Sequence, residues 1–225
     1  MRKVMTTVLS VLIALLVPAI LVVNGIRVLA NDWYIYSEYA KPDFPPDAYG
    51  FTKAQRTELA LTGLHSVLPQ YAEGIDLLRQ ARLPDGRAAF NARELGHMED
   101  VQILIGQVYP LHLVVLVTIV VLAIVLGRWA ETKRIIPSAL QAGAILTLVI
   151  AAGLIAYILI NFSTFFTQFH RIFFEGDTWQ FLPTDTLIRL YPIPLWSDAA
   201  TLIGVATVAQ AVVLWIATWL WSRRG

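Results

Sequence analysis

The sequence predicts an all-α integral membrane protein with four transmembrane helices, both termini in the cytoplasm, and a small, mainly helical extracytoplasmic cap. Three observations carry this prediction. Of 225 residues, 57% are hydrophobic and 15% charged, against about 45–50% and about 25% in ordinary soluble domains. Four apolar stretches match the roughly 20 helical residues that a hydrocarbon core requires. The charges also sort by side. The N-terminus, the RWAETKR loop and the C-terminus together hold 7 basic residues and 1 acidic one, a net +6, whereas the remaining 10 basic and 15 acidic residues give −5. The positive-inside rule places the three basic pieces in the cytoplasm.

The four apolar stretches run roughly over Val4–Val23, Val108–Leu126, Ile136–Ile160 and Ala199–Leu220, with no Asp, Glu, Lys or Arg inside them. Segment 1–30 reads as an uncleaved anchor. Arg2 and Lys3 before an apolar run also describe a signal peptide, and Val28 and Ala30 suit its small-residue cleavage rule, but the run exceeds the 7–15 residues of a signal core. Segments 108–127 and 136–160 are the second and third spans, joined by a cytoplasmic loop at 128–135, and 199–225 is the fourth span with its tail. The outer segments are then 31–107 and 161–198. Trp33, Tyr34, Tyr36, Tyr109 and Trp196 are expected in the outer aromatic belt, and Trp215, Trp219 and Trp221 in the inner one.

Composition removes several functions at once. A net charge of +1 without a basic cluster disfavours nucleic-acid binding. The absence of cysteine excludes disulfides, thiolate metal sites and a cysteine nucleophile. Two dissimilar outer segments and spans with little polar lining argue against an inverted-repeat transporter or a channel.

In the outer segment 31–107, the Pro-rich run 41–49 (KPDFPPDAY) is expected to lie extended over the surface. Thr52 with Gln55 forms a capping-box pattern that opens a helix to about Leu68; a second helical stretch reaches about Arg82, and PDGR at 84–87 is a turn. Asn91 with Glu94 repeats the capping pattern and starts a helix to about Gln107. Edge strands around 31–50 or 178–192 are open alternatives.

That last helix carries Glu94, His97 and Asp100 at i, i+3 and i+6, an imidazole between two carboxylates on one side. The plain alternative is a solvated face with helical charge pairs. In the second outer segment, NFSTFFTQFHRIFF sets six phenylalanines around His170, a ring suited to the lipid–water boundary. An acidic turn, EGDTW, follows at 175–179, then DTLIRLYP at 185–192, where Asp185 and Arg189 are spaced as a helix pair. His65 reads as a surface or packing residue of the cap, and His112 as an imidazole able to bond a neighbouring span.

RELGHMEDV (93–101), FHRIFFEGDTWQF (169–181), DTLIRLYP (185–192) and Trp196 together resemble the bacterial lipoprotein intramolecular transacylase family, Lit. The resemblance covers the layout of four spans, a larger first outer segment and a short aromatic second one. It implies an acyltransferase of the bacterial cell membrane, working on the extracytoplasmic face without a cofactor. Its substrate and partner would be a diacylated lipoprotein in the bilayer. The reaction it implies moves the sn-2 acyl chain of the diacylglyceryl group to the α-amine of the N-terminal cysteine, giving the lyso-form. By the same resemblance His97 and His170 are the catalytic histidines, with Glu94, Asp100, Asp177 and Trp179 as supporting neighbours.

The chemistry is consistent with those residue types. Ester aminolysis within one molecule needs a proton removed from an amine of pKa about 7.7–8.0 and one delivered to an alkoxide, and imidazole at about 6.5 suits both steps. The expectation is His170 as base on the amine and His97 as acid to the glyceryl oxygen, with Asp100 or Glu94 orienting it. Two imidazoles dividing this work would lie within about 3–7 Å of each other. Arg93, Arg171 and Arg189 are candidates for oxyanion or substrate contacts, and Trp179 is a further candidate oxyanion donor. Two other readings remain. One is a metal-dependent membrane hydrolase, since Glu94-x-x-His97 has the spacing of helical carboxylate centres and His170 and Asp177 would complete it. The other is a non-catalytic membrane subunit or lipid-binding module.

Overall fold

A computed structural model describes residues 2–129 and 135–224. Among them the chain forms only helices: α1 (Arg2–Leu29), α2 (Asp32–Ala40), α3 (Lys53–Val67), α4 (Asp76–Gln80), α5 (Ala92–Gly127), α6 (Ile135–Ile160), α7 (Phe162–Phe173), α8 (Thr186–Leu190) and α9 (Ile193–Arg224). The cap is helical as expected, and the alternative of edge strands around 31–50 or 178–192 is not seen among the described residues, whose one isolated β-bridge joins Arg82 and Ala88. At the first segment a local cap is visible, the Asn31 side chain accepting from the Trp33 N–H to start α2, and in the second 186–190 coils into α8. Most of the expected basic loop, including Glu131, Lys133 and Arg134, lies outside the described residues.

Four helices, α1, α5, α6 and α9, are long and apolar enough to cross a membrane, with no more than 22% of any apolar window buried. Side chains such as Val149, Leu154, Val205 and Val213 therefore point outward from the protein, which is stable only where hydrocarbon replaces water. The fold is that of a multi-pass, all-helical membrane protein.

The chain divides into two compact units. The first comprises residues 1–27, 110–160 and 201–225. Its core joins Ile13, Val17, Ile20 and Leu21 of α1 to Leu126 of α5, Ile136 and Ala139 of α6, and Ala211 of α9. Gly143 lets α6 approach α1 closely, because a Cβ there would stand 2.6 Å from Val17 Cβ. Polar contacts also cross this core: Asn24 Nδ2 donates to Gln210 Oε1 at 3.0 Å, and Gln210 Nε2 to Leu21 O at 3.2 Å. His112 makes no such bond, its Nε2 being buried without a partner among the described residues.

The second unit comprises residues 28–109 and 161–200. Here α3 packs against α2, α4 and α8. The capping box expected at Thr52 and Gln55 forms in both directions, at 3.2 and 2.9 Å. The PDGR turn closes with Gly86 at φ +83, the left-handed region that glycine enters without strain. Tyr34, expected in the aromatic belt, is instead buried, as is Tyr39; their hydroxyls donate to Leu195 O at 2.5 Å and Leu190 O at 2.7 Å.

The Pro-rich run 41–49 is stapled down rather than simply draped over the surface. The Asp47 side chain is 1% exposed and accepts a two-point contact from Arg189, 2.9 Å at each oxygen, besides the N–H groups of Tyr49 and Phe51. Buried Arg56 donates to Pro45 O and Arg189 O. Arg189 thus pairs with Asp47 across the unit and not with Asp185 along α8. Asp185 instead accepts from Leu182 N and Asn91 Nδ2.

The expected outer helix and second span are one 36-residue helix, α5. At 1.5 Å per residue it is about 54 Å long, well beyond a hydrocarbon core of about 30 Å. Its charged residues, Arg93, Glu94, Glu99 and Asp100, all fall in the first third, and none follows from Val101 to Gly127. The hydrocarbon-spanning stretch is therefore the later part, which leaves His97 in the polar part.

Candidate active site

The site is assembled within the second unit, at the start of α5, on α7 and in the chain after it. Asn91 caps α5: its Oδ1 accepts from Arg93 N at 2.9 Å and Glu94 N at 3.1 Å, and Glu94 Oε2 accepts from Asn91 N at 2.8 Å. The other Glu94 oxygen accepts from Leu187 N at 2.7 Å, tying α8 to the first turn of α5. Glu94, 1% exposed, is thus spent on backbone N–H groups. No hydrogen bond joins it to the His97 ring, one turn later on α5, among the described residues.

Asn161 caps α7, its side chain accepting from Thr164 N. The helix is sharply two-faced: His170 is buried, while Phe169, Ile172 and Phe173 are exposed. His170 Nδ1 stands 2.7 Å from Phe166 O. A carbonyl only accepts, so Nδ1 carries the hydrogen and Nε2 the lone pair in the neutral ring.

The two imidazoles meet, their ring centres 6.0 Å apart and their planes at 29°. Aromatic rings enclose them. Phe174 lies 5.0 Å from His97 and 5.5 Å from His170, and Phe181 lies 5.5 Å from His97. Phe166 at 4.1 Å and Trp179 at 4.9 Å cover His170. Desolvation by this shell, with the neighbouring His170 adding to it, lowers His97 to about 4. Burial lowers His170 too, against the Phe166 hydrogen bond. Both rings are neutral near pH 7. Among the described residues, two buried polar atoms at this cluster lack any partner, His97 Nδ1 and Trp179 Nε1.

The remaining predicted residues fall into three groups. Asp100 accepts from Thr178 Oγ1 at 3.4 Å, and Arg93 donates to Gln180 O at 3.3 Å, so both hold the 175–180 turn against α5. Asp177 is exposed and accepts from Gln180 Nε2 inside that turn. Arg171 is exposed, and Arg189 is occupied by Asp47. Sequence reasoning missed Phe181, Thr178 and Leu187. The helical spacing that singled out Glu94 and Asp100 says nothing about the distant groups that meet them, the Leu187 N–H 93 residues on for Glu94 and the Thr178 hydroxyl 78 residues on for Asp100.

The sequence model of the family described as "Lipoprotein intramolecular transacylase Lit" matches residues 9–196. This chain belongs to the Lit family. Lit enzymes are acyltransferases, and the chain is accordingly a membrane-embedded acyltransferase. It is similar in fold to the in meso structure of the membrane-integral Lit from Bacillus cereus, at 20% identity with a TM-score of 0.78 over 99% of this chain and 97% of that one. A variant of the same Lit with one histidine replaced by alanine matches at 19% identity and a TM-score of 0.75, over 99% and 96% of the two chains. A protein of uncharacterised function from Aquifex aeolicus (strain VF5) is 28% identical over 211 residues, 93% of each chain.

Proposed function

We propose that this enzyme moves the sn-2 acyl chain of a membrane lipoprotein's diacylglyceryl group onto the α-amine of the N-terminal cysteine, using His170 as base and His97 as acid. The observation that carries the reading is the meeting of two neutral, buried imidazoles in one aromatic enclosure.

The tautomer assigned to His170 leaves Nε2 free to take a proton, as attack of the amine on the ester carbonyl requires. Collapse of the tetrahedral intermediate breaks the ester C–O bond, and the glyceryl oxygen takes the proton removed from the amine, passed from the His170 imidazolium through His97, which is neutral in the resting site. The net result is one proton moved from nitrogen to oxygen, with a C–N bond formed and a C–O bond broken. Because acyl donor and acceptor belong to one molecule, positioning supplies much of the acceleration, and the phenylalanines around His170 are suited to hold acyl chains. Glu94, Asp100 and Asp177 act as positioning residues, Glu94 through the first turn of α5 and the two aspartates through the 175–180 turn. The site faces the extracytoplasmic side of the bacterial cell membrane, with both termini inside, in keeping with the charge asymmetry.

The test is mass spectrometry of a synthetic diacylated, cysteine-terminal lipopeptide incubated with the purified full chain in liposomes. Transfer moves one acyl mass from the glyceryl fragment to the N-terminal amide. An acyl group that stays on glycerol, or is released as free acid, contradicts the proposal.

A further inference from the structure

An ester carbonyl attacked by an amine places negative charge on its oxygen, and the barrier depends on a donor waiting where that charge appears. The two histidines cannot fully supply one. The N–H of His170 is used on Phe166 O, and His97 is needed at the leaving oxygen. The guanidinium groups predicted for the task are committed or exposed: Arg189 holds Asp47, Arg93 reaches Gln180 O, and Arg171 is exposed.

Trp179 is different. Its indole packs on the His170 ring with centres 4.9 Å apart and planes at 33°, and its Nε1 is buried with no acceptor among the described residues. An indole N–H is a donor only and does not titrate. Leaving it buried and unpaired costs folding free energy, so a site that keeps it is poised for an acceptor arriving with the substrate. A base stands about 3 Å from the amine nitrogen it deprotonates, and that nitrogen about 3 Å from the carbonyl carbon it attacks. The carbonyl oxygen is thus held within about 7 Å of the base, the neighbourhood in which the Trp179 indole packs on the His170 ring.

We infer that Trp179 is a catalytic residue, its indole N–H donating to the acyl carbonyl oxygen as it becomes the oxyanion. The role rests on the proposed reading of the histidine pair. It takes no part in proton transfer, and the indole returns unchanged when the ester C–O bond breaks.

The experiment measures kcat and KM of the full chain in liposomes with the diacylated lipopeptide, for wild type, Trp179→Phe, and a protein in which residue 179 is β-(3-benzothienyl)alanine. That analogue keeps the shape of tryptophan but replaces the N–H by sulfur. Rates are normalised to the folded fraction from thermal unfolding. The expected result is a fall in kcat of about 10²–10³ in both variants with KM little changed, since the bond strengthens only in the transition state. A second substrate with an sn-2 thionoester, whose sulfur accepts hydrogen bonds poorly, slows the wild type and should slow Trp179→Phe by much less, because the two changes remove the same bond. Either variant retaining wild-type kcat, a rise in KM alone, or additive effects of thionoester and variant overturns the role of Trp179. His170→Ala, run in parallel, separates the two ideas: an inactive His170→Ala beside a fully active Trp179→Phe sinks only this inference, whereas an active His170→Ala sinks the histidine mechanism itself.

Discussion

His97 and His170 approach to 6.0 Å between ring centres with their planes at 29°, and among the described residues neither is hydrogen-bonded to a carboxylate. An imidazole pair without a counter-ion, wrapped in aromatic rings, favours the neutral form of both members.

The pH behaviour follows from that relationship. Unfolded imidazole titrates near about 6.5, whereas His97 in the folded chain is lowered to about 4. Its contribution to stability is therefore fully present above about 6.5 and lost as pH falls toward 4. NMR of histidine labelled at the ring carbons should show the His97 resonance still unshifted at pH 5.5 and His170 titrating below the free-imidazole value. A His97 midpoint at or above 6.5 would contradict the desolvated site.

Alanine at either catalytic position should abolish turnover, by about 10³-fold or more if each removes proton transfer as well as orientation, while leaving the thermal midpoint close to that of the wild type. His65→Ala offers the contrast. Its Nε2 donates to Asp32 Oδ1 at 2.7 Å and its ring stacks on Tyr71 at 4.0 Å, in a partly exposed place where such contacts are worth up to about 1 kcal/mol. Its turnover should match wild type in the lipopeptide assay.

Removing Arg189 while Asp47 stays buried leaves an uncompensated carboxylate, which typically costs about 3–5 kcal/mol. Arg189→Met is expected to unfold the second unit at a much lower temperature, read by circular dichroism. The Arg189 hydrogen bonds, opposed by burial and helped by the Tyr49 and Phe51 N–H groups, lower Asp47 to about 2. Its stabilisation is thus complete above the ordinary carboxylate value of about 3.9 and disappears between there and 2. An Arg189→Met protein as stable as wild type would show the pair to be dispensable.

Glu94 distinguishes scaffolding from chemistry. Glu94→Ala orphans the Asn91 and Leu187 N–H groups, at about 1–3 kcal/mol for each one left buried. Glu94→Gln keeps one acceptor and should cost less. If the carboxylate only positions His97, both variants retain kcat within a few-fold per folded molecule. A loss of about 100-fold in a well-folded Glu94→Gln would instead place the carboxylate in the proton path.

Much of the fold was legible in the chain because it rests on short-range rules. Hydrophobic length marks the four spans, and the capping boxes at Thr52–Gln55 and Asn91–Glu94 mark helix starts, since each is a bond between neighbours three residues apart. The choice between helix and edge strand at 31–50 was left open by the chain, and in the structure Asn31 caps a helix over Asp32–Ala40.

What the sequence determined by itself was a four-span membrane fold and the two histidine-bearing segments, as these follow from composition, periodicity and local motifs. Only the tertiary structure decided that His97 and His170 share one enclosure, that Glu94 serves Leu187 rather than the imidazole, and that Arg189 belongs to Asp47. Those pairings join groups 73, 93 and 142 residues apart. Spacing along one helix cannot encode them, because a buried polar group is satisfied by whatever the folded chain brings beside it.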